Sequence, residues 1–169
     1  MSDKLIIGID NGVTGTIACK DGNNVTFFLT PVKKEQNYVK KKDLINRVDV
    51  NELKRKLSSA MVAAGKQPQE CLAILERPLV NPTRFKATLS AIRALEATIC
   101  VLENLNLPYM YIDSREWQRE ILPKGCEGEE LKKVSADIGC RLYPQWVELI
   151  RKHKDADGLL IAHWGSLHF

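Results

Sequence analysis

The sequence predicts an α/β fold, a mixed five-stranded sheet in which three antiparallel strands are followed by two that alternate with helices. Three observations predict it. The chain opens with three short β-prone runs, separated by Gly/Asn-rich breaks at Asn11-Gly12 and Asp21-Gly22-Asn23-Asn24, which is the pattern of consecutive hairpins. Two later apolar runs, 72–76 and 108–112, each lie between stretches of helical periodicity. Helices that alternate with strands must then cover the sheet.

Residues 4–10 read as a buried strand, 16–20 as its hairpin partner and 25–29 as the third strand. Segment 31–48 differs, because Lys33, Lys34, Lys40, Lys41, Lys42 and Arg47 surround Tyr38 with only Glu35 and Asp43 opposing them. Two readings fit it: a solvated surface loop, or a mobile basic arm that meets phosphate with Tyr38 available for stacking. Asp49 as N-cap with Glu52 three residues on predicts a helix start. Leu53, Leu57, Ala60, Met61 and Ala64 keep helical spacing until Gly65 ends it.

Leu72–Glu76 is the fourth strand, and Pro78 and Pro82 frame a loop. A long helix follows over 84–104, with Phe85, Leu89, Ile92, Ile99 and Leu102 as its apolar face and Glu96 at the boundary of that face. Residues 108–112 form the fifth strand, and Asp113 opens a short helix that Pro123 closes. A helix over 127–143 carries the stripe Leu131, Val134, Ile138 and Leu142, and Pro144 stops it. The last helix, 155–167, is apolar on most sides and should pack against the sheet.

At 169 residues, 44% hydrophobic and 27% charged, the chain suits one soluble domain with a real core. Its net charge of +4 is compatible with a nucleic-acid partner. Five scattered cysteines without a C-x-x-C pair argue against a disulfide framework or a zinc site, and point to a reducing cytoplasm. No apolar run approaches the roughly 20 residues of a membrane span, so no membrane partner is expected.

Three carboxylates sit at the ends of apolar runs: Asp10 after Leu5–Ile9, Glu76 after Leu72–Leu75, and Asp157 before Gly158–Ala162. An acid in such a position is costly unless it meets positive charge. If the first and fourth strands are neighbours, their C-terminal ends bring Asp10 and Glu76 together, and the first turn of the last helix need only reach that edge. Such a cluster suits hard cations such as Mg²⁺ or Mn²⁺, and a pair of them supports phosphodiester cleavage with no histidine or cysteine nucleophile.

At these residues the chain resembles a known family. Ile7-Gly8-Ile9-Asp10-Asn11-Gly12, Glu76-Arg77-Pro78 and the tail 153–162 are similar to RuvC-type Holliday junction resolvases of the RNase H-like nuclease superfamily. Trp117, Leu131–Ser135 and Leu142-Tyr143-Pro144 resemble the phage-encoded branch. The resemblance implies an RNase H-like fold, a DNA endonuclease using two Mg²⁺ or Mn²⁺ ions, branched DNA as partner, and a homodimer. It implies Asp10, Glu76 and a tail acid as metal ligands, and Lys132 or Lys133 beside the scissile phosphate.

The family's tail pair is three residues apart, whereas Lys154 stands three before Asp157 here. Asp155 lies two before and His153 four before, so which of them joins depends on where the helix starts. Three rivals use the same residues. A sugar-kinase-like fold would need a second domain that 169 residues cannot supply, so no nucleotide cofactor is expected. A non-catalytic DNA-binding or scaffold protein, and a nuclease acting on RNA or RNA–DNA hybrids, are the other two.

Overall fold

Alternation along the first strand builds two cores at once. Leu5, Ile7 and Ile9 face one layer of helices and Ile6 faces the other, all four at most 2% exposed. Burying these four side chains contributes roughly 6–12 kcal/mol, enough to hold a charged residue at the strand's end.

The computed structural model describes residues 4–126 and 128–169. Its strands are β1 (Leu5–Ile9), β2 (Thr16–Asp21), β3 (Asn24–Leu29), β4 (Val32–Gln36), β5 (Leu44–Val48), β6 (Cys71–Glu76) and β7 (Tyr109–Ile112). Five of them form one sheet in the order β3-β2-β1-β6-β7, antiparallel over the first three and parallel from β1 through β6 to β7. The expected neighbouring of the first strand and the Leu72–Glu76 strand is what the sheet has, with Ile9 opposite Leu75. The helices are α1 (Val50–Ala64), α2 (Phe85–Asn104), α3 (Ser114–Ile121), α4 (Glu129–Leu142), α5 (Val147–His153) and α6 (Asp157–His168). Residues of α1 and α2 pack in one core, and residues of α3 to α6 in the other. Among the described residues no helix is long and apolar enough to cross a membrane.

Helix α1 starts and stops as its sequence requires: Asp49 accepts from the Glu52 N–H at 3.1 Å, and Gly65 closes it at φ 63°. Two expectations change. Segment 31–48 is not a loop but the hairpin β4–β5, a separate two-stranded sheet. Its alternation of exposed and half-buried residues covers one face only, and its lysines hide the β pattern. Lys40, Lys41 and Lys42 occupy the exposed tip.

In α2 the expected apolar face is covered only toward its C-terminal end. Leu102 is buried, whereas Phe85 is 70% exposed and Leu89 and Ile92 are also exposed. The residues buried in this helix are Ala94, Thr98, Val101 and Leu102, all in its C-terminal half. The last helix lies where the sequence placed it, within two residues, and α5 before it is a helix that the sequence reading did not anticipate. Lys154, at φ 54°, makes a left-handed turn that separates α5 from α6. The first residue expected in α4, 127, lies outside the described residues.

Helix α6 lies directly on the sheet. A Cβ on Gly8 would overlap the Ala162 backbone and the Gly158 carbonyl, and one on Gly158 would overlap the Thr16 backbone. These two glycines let the helix start sit against the strands that end at the site.

Candidate metal centre

Parallel pairing of β1 and β6 puts Asp10 and Glu76 at the same edge of the sheet, and the start of α6 brings the tail acids over it. Asp10, Asp155 and Asp157 each offer a carboxylate oxygen, all within 4.8 Å of one another. Glu76 is outside that group and touches it through Asp10, with which it shares a hydrogen bond. Its Oε1 also accepts from Trp117 Nε1 at 3.0 Å, and the Trp117 ring is fully buried.

Asp155 joins because it precedes the helix. The turn at Lys154 leaves residues 155 and 156 outside helical geometry, so helical spacing does not govern where Asp155 points. Its Oδ1 accepts from the Asp157 N–H and from Thr16 Oγ1, both at 2.9 Å. Asp157 occupies the first turn and accepts from Ser135 Oγ. His153 ends α5 on the far side of the turn, is exposed, and is not in the three-acid group.

Lys132 and Lys133 are both exposed on α4. The positive charge of Lys132 reaches Asp157 and pulls against its raised pKa, so of the pair it is Lys132 that is felt at the cluster. Lys40, Lys41 and Lys42 line neither the cavity that holds Lys132 and Lys133 nor the one that holds Glu76. Glu96 is exposed, as a boundary residue would be, and borders a cavity with Tyr38 and Arg93.

Electrostatics make the cluster an unneutralised one. Burial, then the charges of Asp155, Glu76 and Asp157, push the Asp10 carboxyl well above the ordinary carboxylate range. Burial raises Glu76 as well, against the opposing hydrogen bonds from Trp117 and Asp10. Asp157 is pushed up to about 7, by burial first and then by Asp155. An all-oxygen donor set whose negative charges repel one another fits a hard divalent cation. Asn11, next in the chain to Asp10, donates its amide N–H to the Ala91 carbonyl at 3.1 Å, and its side-chain oxygen is buried without a partner among the described residues.

Three supporting residues escaped the sequence as functional: Thr16, Ser135 and the role of Trp117. Ser135 had a signal, since a hydroxyl on the Leu131–Ile138 stripe interrupts an apolar face. Thr16 had none, being an ordinary β-branched strand residue. Its hydroxyl is fully buried, donates to Asp155 and accepts from the Gly158 N–H at 3.0 Å. Thr16→Val keeps the shape and orphans that buried N–H, which should cost about 1–3 kcal/mol. Urea unfolding will read the loss, and an unchanged midpoint would mean the hydroxyl does not hold the helix start.

No family model and no curated protein matches the chain. Among solved structures it is similar to T. thermophilus RuvC in complex with a Holliday junction substrate, at 12% identity and a TM-score of 0.54, over 98% of this chain and 94% of that one. A second Thermus thermophilus RuvC structure is similar at 14% identity and a TM-score of 0.50, over 97% and 94% of the two chains. The fold is therefore the RNase H-like fold in its RuvC form, over almost the full length of both proteins.

Proposed function

We propose that this chain is a Mg²⁺- or Mn²⁺-dependent endonuclease that cleaves branched DNA, a Holliday junction resolvase of the RuvC kind working in the cytoplasm. The observation that carries the reading is the convergence of Asp10, Asp155 and Asp157, with Glu76 on Asp10, where two parallel strand ends meet the start of α6. A RuvC-type fold with a dead site would have no reason to keep four acids at a cost to its own stability.

In this reading Asp10, Asp155 and Asp157 hold the cations and Glu76 completes the set beside Asp10. Bound there, two divalent ions would activate a water and neutralise charge on the phosphate oxygens. Thr16 and Ser135 fix the directions of Asp155 and Asp157 by hydrogen bonds. Trp117 does the same for Glu76 and keeps water from that side. Lys132 faces the incoming phosphate, and Lys133 and the tip lysines Lys40, Lys41 and Lys42 add affinity through phosphate contacts. A homodimer, implied by the resemblance to RuvC, would present two such sites to the two strands of a junction.

The test compares a four-way junction, a linear duplex and an RNA–DNA hybrid in Mg²⁺, Mn²⁺ and chelator. Metal-dependent nicking of the junction above the duplex is the expected result. Preference for the hybrid would transfer the reading to an RNA-directed nuclease, and binding without metal-dependent nicking would make the chain a DNA-binding scaffold.

A further inference from the structure

One cavity of this molecule gathers several cations that have no ion-pair partner among the described residues. A cavity of about 940 Å³ is lined by Arg84, Lys132, Lys133, Arg151 and Lys154, against the single acid Asp137. None of these five cations is in an ion pair among the described residues. Several cations elsewhere are matched, among them Lys33 to Glu35 at 2.6 Å, Arg55 to Glu52 at 2.6 Å and Arg77 to Asp113 at 3.1 Å. Five like charges gathered without partners repel one another unless a polyanion lies among them.

Two cations of the cavity's lining tie it to the acid cluster. Lys132 acts on Asp157, and Lys154 adjoins Asp155 in the chain. A second cavity, of about 290 Å³, is lined by Asn11, Glu76, Arg77 and again Arg84. Arg84 thus belongs to both, one on the Asp157 side of the acids and one on the Glu76 side. It stands in the short 3-10 turn Pro82–Arg84 that precedes α2, on a different element from every other cation of the larger cavity.

We infer that Arg84, Arg151 and Lys154 grip successive phosphates of one nucleic-acid strand, leading it through the larger cavity, past the acid cluster and under Arg84 into the smaller one. This rests on the nuclease reading for what the strand is, and adds residues that neither the motifs nor that reading supplied. A single phosphate would need one or two of these cations, whereas a strand, with its repeated charges, uses cations spread over two cavities that share Arg84. Arg84 contributes a planar guanidinium that can hold two phosphate oxygens at once. Its position over both cavities makes it a positioning residue, setting which phosphodiester lies over the acids.

The experiment measures binding of a labelled four-way junction in chelator, over a range of salt. The wild type is compared with two triple variants of equal charge change: Arg84→Ala/Arg151→Ala/Lys154→Ala in the groove, and Lys54→Ala/Arg55→Ala/Lys56→Ala on α1 across the sheet. The groove variant should bind about tenfold or more weakly, with a log–log salt slope shallower by about two to three, at roughly 0.9 for each phosphate no longer neutralised. The α1 variant should keep the wild-type slope. In Mg²⁺, Arg84→Ala alone should shift or scatter the nick position, and Arg84→Lys should restore it in part.

A groove variant with the wild-type slope, or two triples with the same loss, would overturn the inference while leaving metal-dependent cleavage in place. Groove-dependent binding without cleavage would uphold the strand path and remove the nuclease reading. A wild type that binds no nucleic acid would end both.

Discussion

Asp10→Asn and Asp157→Asn should each lower nicking about a thousandfold or more while the junction is bound as well as before, or more tightly. Each substitution removes one of the three carboxylate oxygens that converge within 4.8 Å and keeps the side chain's shape. A thousandfold corresponds to about 4 kcal/mol of transition-state stabilisation, a fair share for one charged ligand out of three. Binding does not suffer, because the lost charge faces phosphate and repelled it. Asp155→Asn should fall less far and regain activity at high Mn²⁺, since an asparagine oxygen can still accept from Thr16 and the Asp157 N–H. Single-turnover cleavage and equilibrium binding on the same junction separate the two effects. Near-normal cleavage by Asp157→Asn beside a dead Asp155→Asn would exchange the roles of the tail acids.

The second large effect is on stability. Asp157 titrates at about 7 in the folded chain against 3.8 for a free carboxyl, and Asp10 is raised as well. With its folded pKa raised, the native state binds more protons than the unfolded state between those values. The contribution of Asp157 to stability is therefore fully present below about 4 and is lost as pH climbs toward 7, by on the order of 2–4 kcal/mol. A cation that binds the acids only in the folded chain restores it, by about 2.7 kcal/mol at a hundred times its dissociation constant.

Mg²⁺ should accordingly raise Tm by several degrees at pH 8 and by much less at pH 5.5, where protons compete for the same oxygens. Asp10→Asn should melt higher than the wild type in chelator at pH 8 and gain little from Mg²⁺. Thermal unfolding at the two pH values checks both. A Tm indifferent to Mg²⁺ at pH 8 would remove the metal centre from these residues.

Local rules carried far in this chain. The Asn11-Gly12 and Asp21–Asn24 breaks marked the hairpins, Asp49 and Gly65 bounded α1, and the continuous apolar runs of β1 and β6 marked strands buried on both faces. Asp10 and Glu76 were legible as a pair for the same reason, because an acid at the end of a buried strand lands at the edge of the sheet. The hairpin β4–β5 was not, since its lysines conceal a one-sided pattern. The exposed start of α2 was not either, because periodicity shows which residues share a face and says nothing of whether anything covers it.

What the sequence by itself determined is the mixed sheet and the side of it on which acids collect, for these follow from strand periodicity, turn chemistry and the position of each acid at the end of its run. The tertiary structure alone decided how the acids divide. The left-handed turn at Lys154 freed Asp155 from the helix, and the α6 backbone came down on Gly8 so that Thr16 could bind Asp155 and Gly158 together. Glu76 was drawn toward Trp117 and Asp10, and His153 was left outside. These outcomes depend on hydrogen bonds between residues far apart in the chain, Thr16 with Asp155 and Trp117 with Glu76, which no local pattern encodes.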